Sequence, residues 1–368
     1  MTIPMLMILA ACAPKERLHA VTPVALPPPL VIEAAPPPPS PAGWHTGQVT
    51  GLAIERRPVE RWSLTMPGPI TVPIATDGAN VFVVADGRVR AVSPRGSTVW
   101  EVRVEASTGV LPTPGGLVVG TSSGKILTLD PASGATLLES GRGGAVRGVP
   151  VAIGEDLAWT TVGGTVVAAS GWAMAEASST SGGAAADGDT VYIATLDAEV
   201  LAVRAGVVVW RADLPAAAAD GPTLDANHVY VPIAAAEGQP GGVLAFSRTG
   251  AEVWRARTEF QPGAPLAVGD AVYVADKDSH VYALETETGA VRWVAEGFGE
   301  FSTQPMLLGG SVYVGNGDGN LYRIDGFDGG VAWKQSLGAP MTGEPAYAAG
   351  AIVVGLANGR VIALEDGG

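Results

Sequence analysis

Four histidines, His19, His45, His228 and His280, are the chain's only imidazoles, and they lie far apart. Scattered singly, they supply neither a clustered metal site nor an evident Ser–His–Asp arrangement. Two acidic stretches, Asp276-Lys277-Asp278 and Asn316-Gly317-Asp318-Gly319-Asn320, have the look of calcium loops. Both fall where every copy of an internal repeat reverses direction, and Asp-Gly and Asn-Gly pairs make two-residue hairpins. They read as turns. Gly315, Gly317 and Gly319 mimic a dinucleotide fingerprint, but no helix follows to place a positive dipole end under a phosphate. The residues therefore give no catalytic, cofactor-binding or metal-binding assignment. Lys and Arg total 22 against 36 Asp and Glu, a net charge of −14, which makes the chain a poor ligand for nucleic acid.

The only cysteine is Cys12, so no intrachain disulfide can form. It follows the apolar run Met5-Leu6-Met7-Ile8-Leu9-Ala10-Ala11, too short to span a bilayer but suited to the core of a secretory signal. Leu9-Ala10-Ala11-Cys12 resembles the bacterial lipobox, where cleavage before the cysteine leaves a thiol that receives lipid. This predicts a signal peptide over residues 1–11 and lipidation of Cys12. Ala13 after the cysteine points to the outer membrane. Nine prolines follow within residues 23–42, including Pro36-Pro37-Pro38-Pro39. Such a segment favours extended polyproline II, so residues 12–58 read as a spacer reaching on the order of 100 Å.

The elements behind these residues are legible in the composition. The chain has 368 residues with 50 Gly, 29 Pro, 47% hydrophobic and only 16% charged residues, a profile of many short strands and tight turns. From residue 81 onward one cassette recurs: an apolar strand, a Gly- or Asp-rich turn, a second strand, a second turn, and a strand carrying Trp. The first strands begin at Val81, Leu117, Leu157, Val191, Val229, Val272, Val312 and Ile352, at intervals of 34 to 43 residues. Eight copies of this length match the blades of a β-propeller. Gly96 precedes Trp100 by four residues, and the same spacing joins Gly206 to Trp210, Gly250 to Trp254, Gly289 to Trp293 and Gly329 to Trp333. The glycine allows a sharp turn, and the Trp supplies an apolar plate between neighbouring blades. Leu138 fills the Trp position in the second copy, and the third is degenerate, with Trp172 displaced and Ala175 in the slot. The eighth copy ends without a Trp strand, while Val59-Glu60-Arg61-Trp62 has a Trp strand without a cassette. We expect an all-β, eight-bladed propeller of four-stranded antiparallel blades over residues 59–368, its ring closed by the strand around Trp62.

The cassette Val-Tyr-Val-Gly…Asp-Gly…Leu-Tyr…Thr-Gly…Trp resembles the PQQ-like propeller repeat over about residues 59–368. One branch of that family is the quinoprotein dehydrogenases, which hold pyrroloquinoline quinone and Ca²⁺ and, in those resembling alcohol dehydrogenases, a vicinal Cys-Cys ring. Cys12 stands alone and outside the propeller, so the resemblance favours the other branch, the cofactor-free outer-membrane lipoproteins typified by BamB. It implies a non-catalytic scaffold that docks protein partners, here in β-barrel assembly, facing the periplasm and held to the membrane through Cys12. A binding module of another envelope complex, or a surface-exposed binder, is the alternative, and a quinoprotein dehydrogenase a remote one. In the scaffold branch an Arg-Gly loop contacts the partner, and Arg147-Gly148-Val149-Pro150 matches it. The companion acidic loop is unmatched, because Ser181-Gly182-Gly183-Ala184 carries no carboxylate.

Overall fold

The computed structural model describes residues 51–141, 143–175, 179–236, 240–301 and 303–368, together with the backbone of Gln48–Val49. Cys12 and the proline-rich segment lie outside the described residues. Strands and turns form eight four-stranded antiparallel blades in seven hydrogen-bonded sheets, one of which runs through two blades. The shared strand of that sheet, Thr98–Thr113, is outermost in the first blade and innermost in the second. It turns the corner at Glu105, whose φ is 56°, and its register breaks between Ala106 and Val110.

The sixth blade shows the pattern. Leu266–Val268, Ala271–Ala275, His280–Glu285 and Val291–Glu296 pair in order from the inside outward. The second strand is buried throughout, because both its faces meet neighbouring blades. The outermost strand alternates exposed and buried, as expected of an edge with one wet face. The cassette strands starting near Val81, Leu117 and Val272 are the second strands of their blades, observed as Val81–Ala85, Gly116–Thr121 and Ala271–Ala275.

A bulge in each Trp strand aims the indole. Val92 pairs with Thr98 and Ala91 with Trp100, leaving Val99 as an extra residue. The same slip precedes Trp62, Trp210, Trp254, Trp293 and Trp333. A bulge kinks the strand and re-aims its side chain, here into the gap before the next blade. The residue opposite the Trp is small in most blades: Ala91, Ala202, Ala245, Ala283 and Ala363. Each of the six indoles donates its N–H to a carbonyl on the following blade or its equivalent, at 2.7–3.1 Å. The turn glycine of that following blade lies against the indole face. A Cβ on Gly289 (φ 69°) would sit 2.5 Å from Trp254 Cε3, and one on Gly134 (φ 73°) 2.6 Å from Trp100 Cε3. These glycines meet two demands at once, a left-handed turn and contact with the preceding blade's Trp.

Val59–Thr65 pairs antiparallel with Arg360–Glu365 and closes the ring, Trp62 standing opposite Ala363. The last blade's outer turn is also assembled from both chain regions. Asp325 Oδ1 caps the amide of Phe327 in the seventh blade, and Asp366 Oδ1 caps the amide of Arg56 at 2.9 Å. Trp333, whose acceptor would lie in that turn, donates instead to the Ile54 carbonyl. Residues 51–58, expected to belong to the spacer, thus pack on the propeller. Ile54 is 2% exposed and its amide donates to Tyr313 Oη at 2.8 Å. Gln48–Val49 runs parallel to Met306–Leu308, the innermost strand of the seventh blade.

Candidate docking surfaces

Turns between first and second strands, and between third and fourth, lie on one face of the ring. Turns between second and third strands lie on the other, with the connections between blades. Arg147 belongs to this second face. It is the second residue of the inner strand Val146–Ile153, pairs with Thr160 and is partly buried, its Nε without a hydrogen-bond partner. Gly148, at φ 68°, touches the neighbouring blade so closely that a Cβ there would lie 2.4 Å from Gly183 Cα. A carboxylate reaches this connection from one connection further on, that of Asp220. A Cβ on Gly182 would meet Asp220 Oδ1, and Ser181 Oγ donates to the Asp220 carbonyl at 2.8 Å. Asp220 sits about forty residues from the position the resemblance would search, so only the ring geometry brings it to the Ser181-Gly182-Gly183 connection.

On the first face, the boundary between blades two and three differs from its neighbours. Leu138 holds the Trp position and is 62% exposed, with Leu137 beside it at 57%. A groove of about 800 Å³ opens there, lined by Leu137, Leu138, Leu157, Val118, Pro114 and Asp156 among others. The deeper part of this boundary is closed by Trp159, from the second strand of blade three, which packs with Val118, Ile126, Val146 and Val167. Its indole N–H is buried without a partner. Sequence spacing shows the Leu138 substitution but not that the leucine leaves its slot uncovered.

Two histidines that look isolated in sequence are paired with carboxylates. In blade five, His228 Nδ1 lies 3.4 Å from Asp225 Oδ2, and Tyr230 Oη donates to the same oxygen at 2.5 Å. Burial pushes the Asp225 carboxyl up, but hydrogen bonds from Tyr230 and from the Asn227 and His228 amides hold it below the usual carboxylate range. Burial and the facing carboxylate push the Tyr230 hydroxyl far up, so it stays a protonated donor and not a nucleophile. In blade six, Asp276 is fully buried, with His280 Nδ1 at 3.6 Å and Tyr282 Oη donating at 3.2 Å. The signal available in the sequence was His-x-Tyr preceded by Asp three or four residues earlier.

The fold and its repeat define an eight-bladed β-propeller of PQQ-like repeats. The sequence model of the family described as outer membrane protein assembly factor BamB matches residues 59–140, 85–171, 164–239 and 239–368, and the chain belongs to that family. No curated protein matches it in sequence. Among solved structures, BamB from Moraxella catarrhalis superposes with a TM-score of 0.68 at 18% identity, over 84% of this chain and 100% of that one. The computationally designed Ika8 protein gives 0.73 at 16% identity, over 83% and 99%. Quinohemoprotein alcohol dehydrogenase from Comamonas testosteroni gives 0.67 at 12%, over 88% and 79%. That a designed protein and a dehydrogenase share the architecture shows that these likenesses carry the fold alone.

Proposed function

We propose that this chain is a non-catalytic docking scaffold that serves the assembly of outer-membrane proteins, anchored to the outer membrane by lipid on Cys12. The observation that carries the reading is the family match, which spans the whole ring from residue 59 to residue 368. Residues 1–11 are the signal peptide in this reading. The proline-rich stretch that follows spaces the ring from the membrane, and the ring faces the periplasm. A rigid ring suits docking, because its loops are held by blades that do not rearrange. Arg147 offers a partner carboxylate a cation on one face. The groove beside Leu138 admits an apolar, aromatic-bearing segment of a partner on the other, where a Trp of the chain itself fills the matching slot at six other boundaries. Crosslinking in cells followed by purification tests the role: assembly components should be enriched over a control bearing residues 1–47 on an unrelated domain. Substituting Leu138→Trp, which fills the slot from within, should reduce that enrichment while leaving the fold intact.

Catalysis through a quinone is disfavoured by the cysteines. Cys12 is the only one and precedes the ring, so no vicinal disulfide can line it. Adding pyrroloquinoline quinone should leave the melting temperature where Ca²⁺ alone sets it. A quinone-dependent rise would support the dehydrogenase reading instead.

A further inference from the structure

A cluster on the face that carries Arg147, between blades five and six, is not explained by the fold. Glu259 comes from the connection between these blades, and Asp278 and His280 from the turn between the second and third strands of blade six. One ligand atom from each, two carboxylate oxygens and an imidazole nitrogen, lies within 4.8 Å of the other two. No Lys or Arg pairs with Glu259 or Asp278 among the described residues. Two uncompensated carboxylates held this close repel one another, and a cation between them removes the repulsion.

The turn itself does not require these residue types. Its closing bond, from the amide of the first position to the carbonyl of the fifth, is made by Asp276 and His280 in blade six. It is made equally by Thr195 and Glu199, by Asn316 and Asn320, and by Leu356 and Arg360 in other blades. At the third position, where blade six has Asp278, the chain has Asp197, Asp318 and Asn358. Asp276 caps the fifth-position amide as Asn316 and Thr195 do in their blades, but the combination of Asp278 and His280 with Glu259 alongside occurs in blade six, and the shared backbone gives no reason for it.

The backbones of all three residues are tied, directly or through Tyr282, to one carboxylate, that of Asp276, which is 0% exposed. Asp276 Oδ1 accepts from the amides of Asp278 at 2.9 Å and His280 at 3.0 Å. Asp276 Oδ2 accepts from Tyr282 Oη, which in turn accepts from the Glu259 amide at 3.2 Å. His280 Nδ1 is buried, lacks a hydrogen-bond partner and lies 3.6 Å from Asp276 Oδ1. A coordinated imidazole donates its other ring N–H to a carboxylate, which fixes the ring and strengthens its nitrogen as a ligand. Asp276 stands where that carboxylate belongs.

We propose that Glu259, Asp278 and His280 form a binding site for a divalent transition-metal ion, with the buried Asp276 orienting the imidazole. One imidazole with two carboxylates suits Zn²⁺ or Mn²⁺ better than Ca²⁺ or Mg²⁺, which take oxygen alone. Ligand atoms around a tetrahedral zinc stand about 3.3 Å apart, within a rotamer adjustment of two exposed carboxylates. Three protein ligands leave a coordination position open at the rim of the ring, for water or for a side chain of a docked partner.

The site is tested on the full chain by isothermal titration with ZnCl₂, MnCl₂ and CaCl₂, with melting temperature read in parallel. We expect saturable one-to-one binding of Zn²⁺ or Mn²⁺, at least tenfold tighter than Ca²⁺, and a metal-dependent rise in melting temperature. His280→Asn and Asp278→Asn place in blade six the residues that Asn320 and Asn358 supply in sister blades, so both variants should fold. Each should weaken binding tenfold or more. Asp318→Asn, the matching change in blade seven, should leave binding unaltered. Absence of saturable binding up to about 1 mM metal, or equal affinity in His280→Asn and the parent, overturns the proposal.

Discussion

Single residues in this ring act as joints between blades. Trp293 is 8% exposed, donates to the Gly326 carbonyl at 3.1 Å and covers Gly329 of the next blade. Trp293→Ala removes the plate and leaves a cavity that the surrounding strands cannot close. It should cost about 3–5 kcal/mol, read by urea unfolding. Asp225 is a joint of another kind, its carboxylate held by Tyr230 and two amides. Its folded pKa lies below the unfolded value, so its contribution is present above the unfolded pKa and is lost as pH falls through the folded one. Asp225→Asn should flatten the decline of stability below about pH 4, where Asp ordinarily titrates. A decline of unchanged slope would contradict that role. These partners were hidden in the sequence, because a buried carboxylate and its histidine are recognised by contact. Asp225 and His228 sit on either side of a tight turn, where spacing alone suggests only a reversal.

At the scale of strands, the repeat was legible because its second and third strands are long and apolar and its turns carry Gly or Asp at fixed offsets. The innermost strands escaped individual recognition. Thr223–Leu224 and Leu266–Val268 are two and three residues long, too short to show alternation. Residues 51–58 escaped for a different reason: their buried side chains are Ile54 and Pro58 alone, next to a proline-rich stretch, and their order depends on Trp333 and Asp366 far along the chain. The turn assembled from both chain regions gives a graded expectation. Asp366→Ala removes one exposed hydrogen bond and should cost about 0.5–1.5 kcal/mol in thermal unfolding. Gly289→Ala asks a side chain to hold φ 69° with its Cβ 2.5 Å from the Trp254 ring, and should cost more, at least about 1–2 kcal/mol. The reverse order would mean that the Gly-on-Trp contact is not what sets the spacing of blades.

For the whole molecule, the ring is a rigid platform whose two faces differ. One carries the uncovered groove at Leu138. The other carries Arg147, Asp220 and the carboxylate–imidazole cluster of blade six. The candidate surfaces were only half visible in the sequence. Arg147 and the leucine at the Trp slot could be read there, whereas the groove, Asp220 and the Glu259–Asp278–His280 cluster are products of closure. The central claim is that these surfaces dock protein partners in outer-membrane protein assembly, and crosslinking in cells followed by affinity purification tests it most directly. We expect components of outer-membrane protein assembly to be enriched over a control bearing residues 1–47 alone, and Leu138→Trp or Arg147→Ala to lower the yield at unchanged melting temperature. Recovery of no such component above the control would contradict the account.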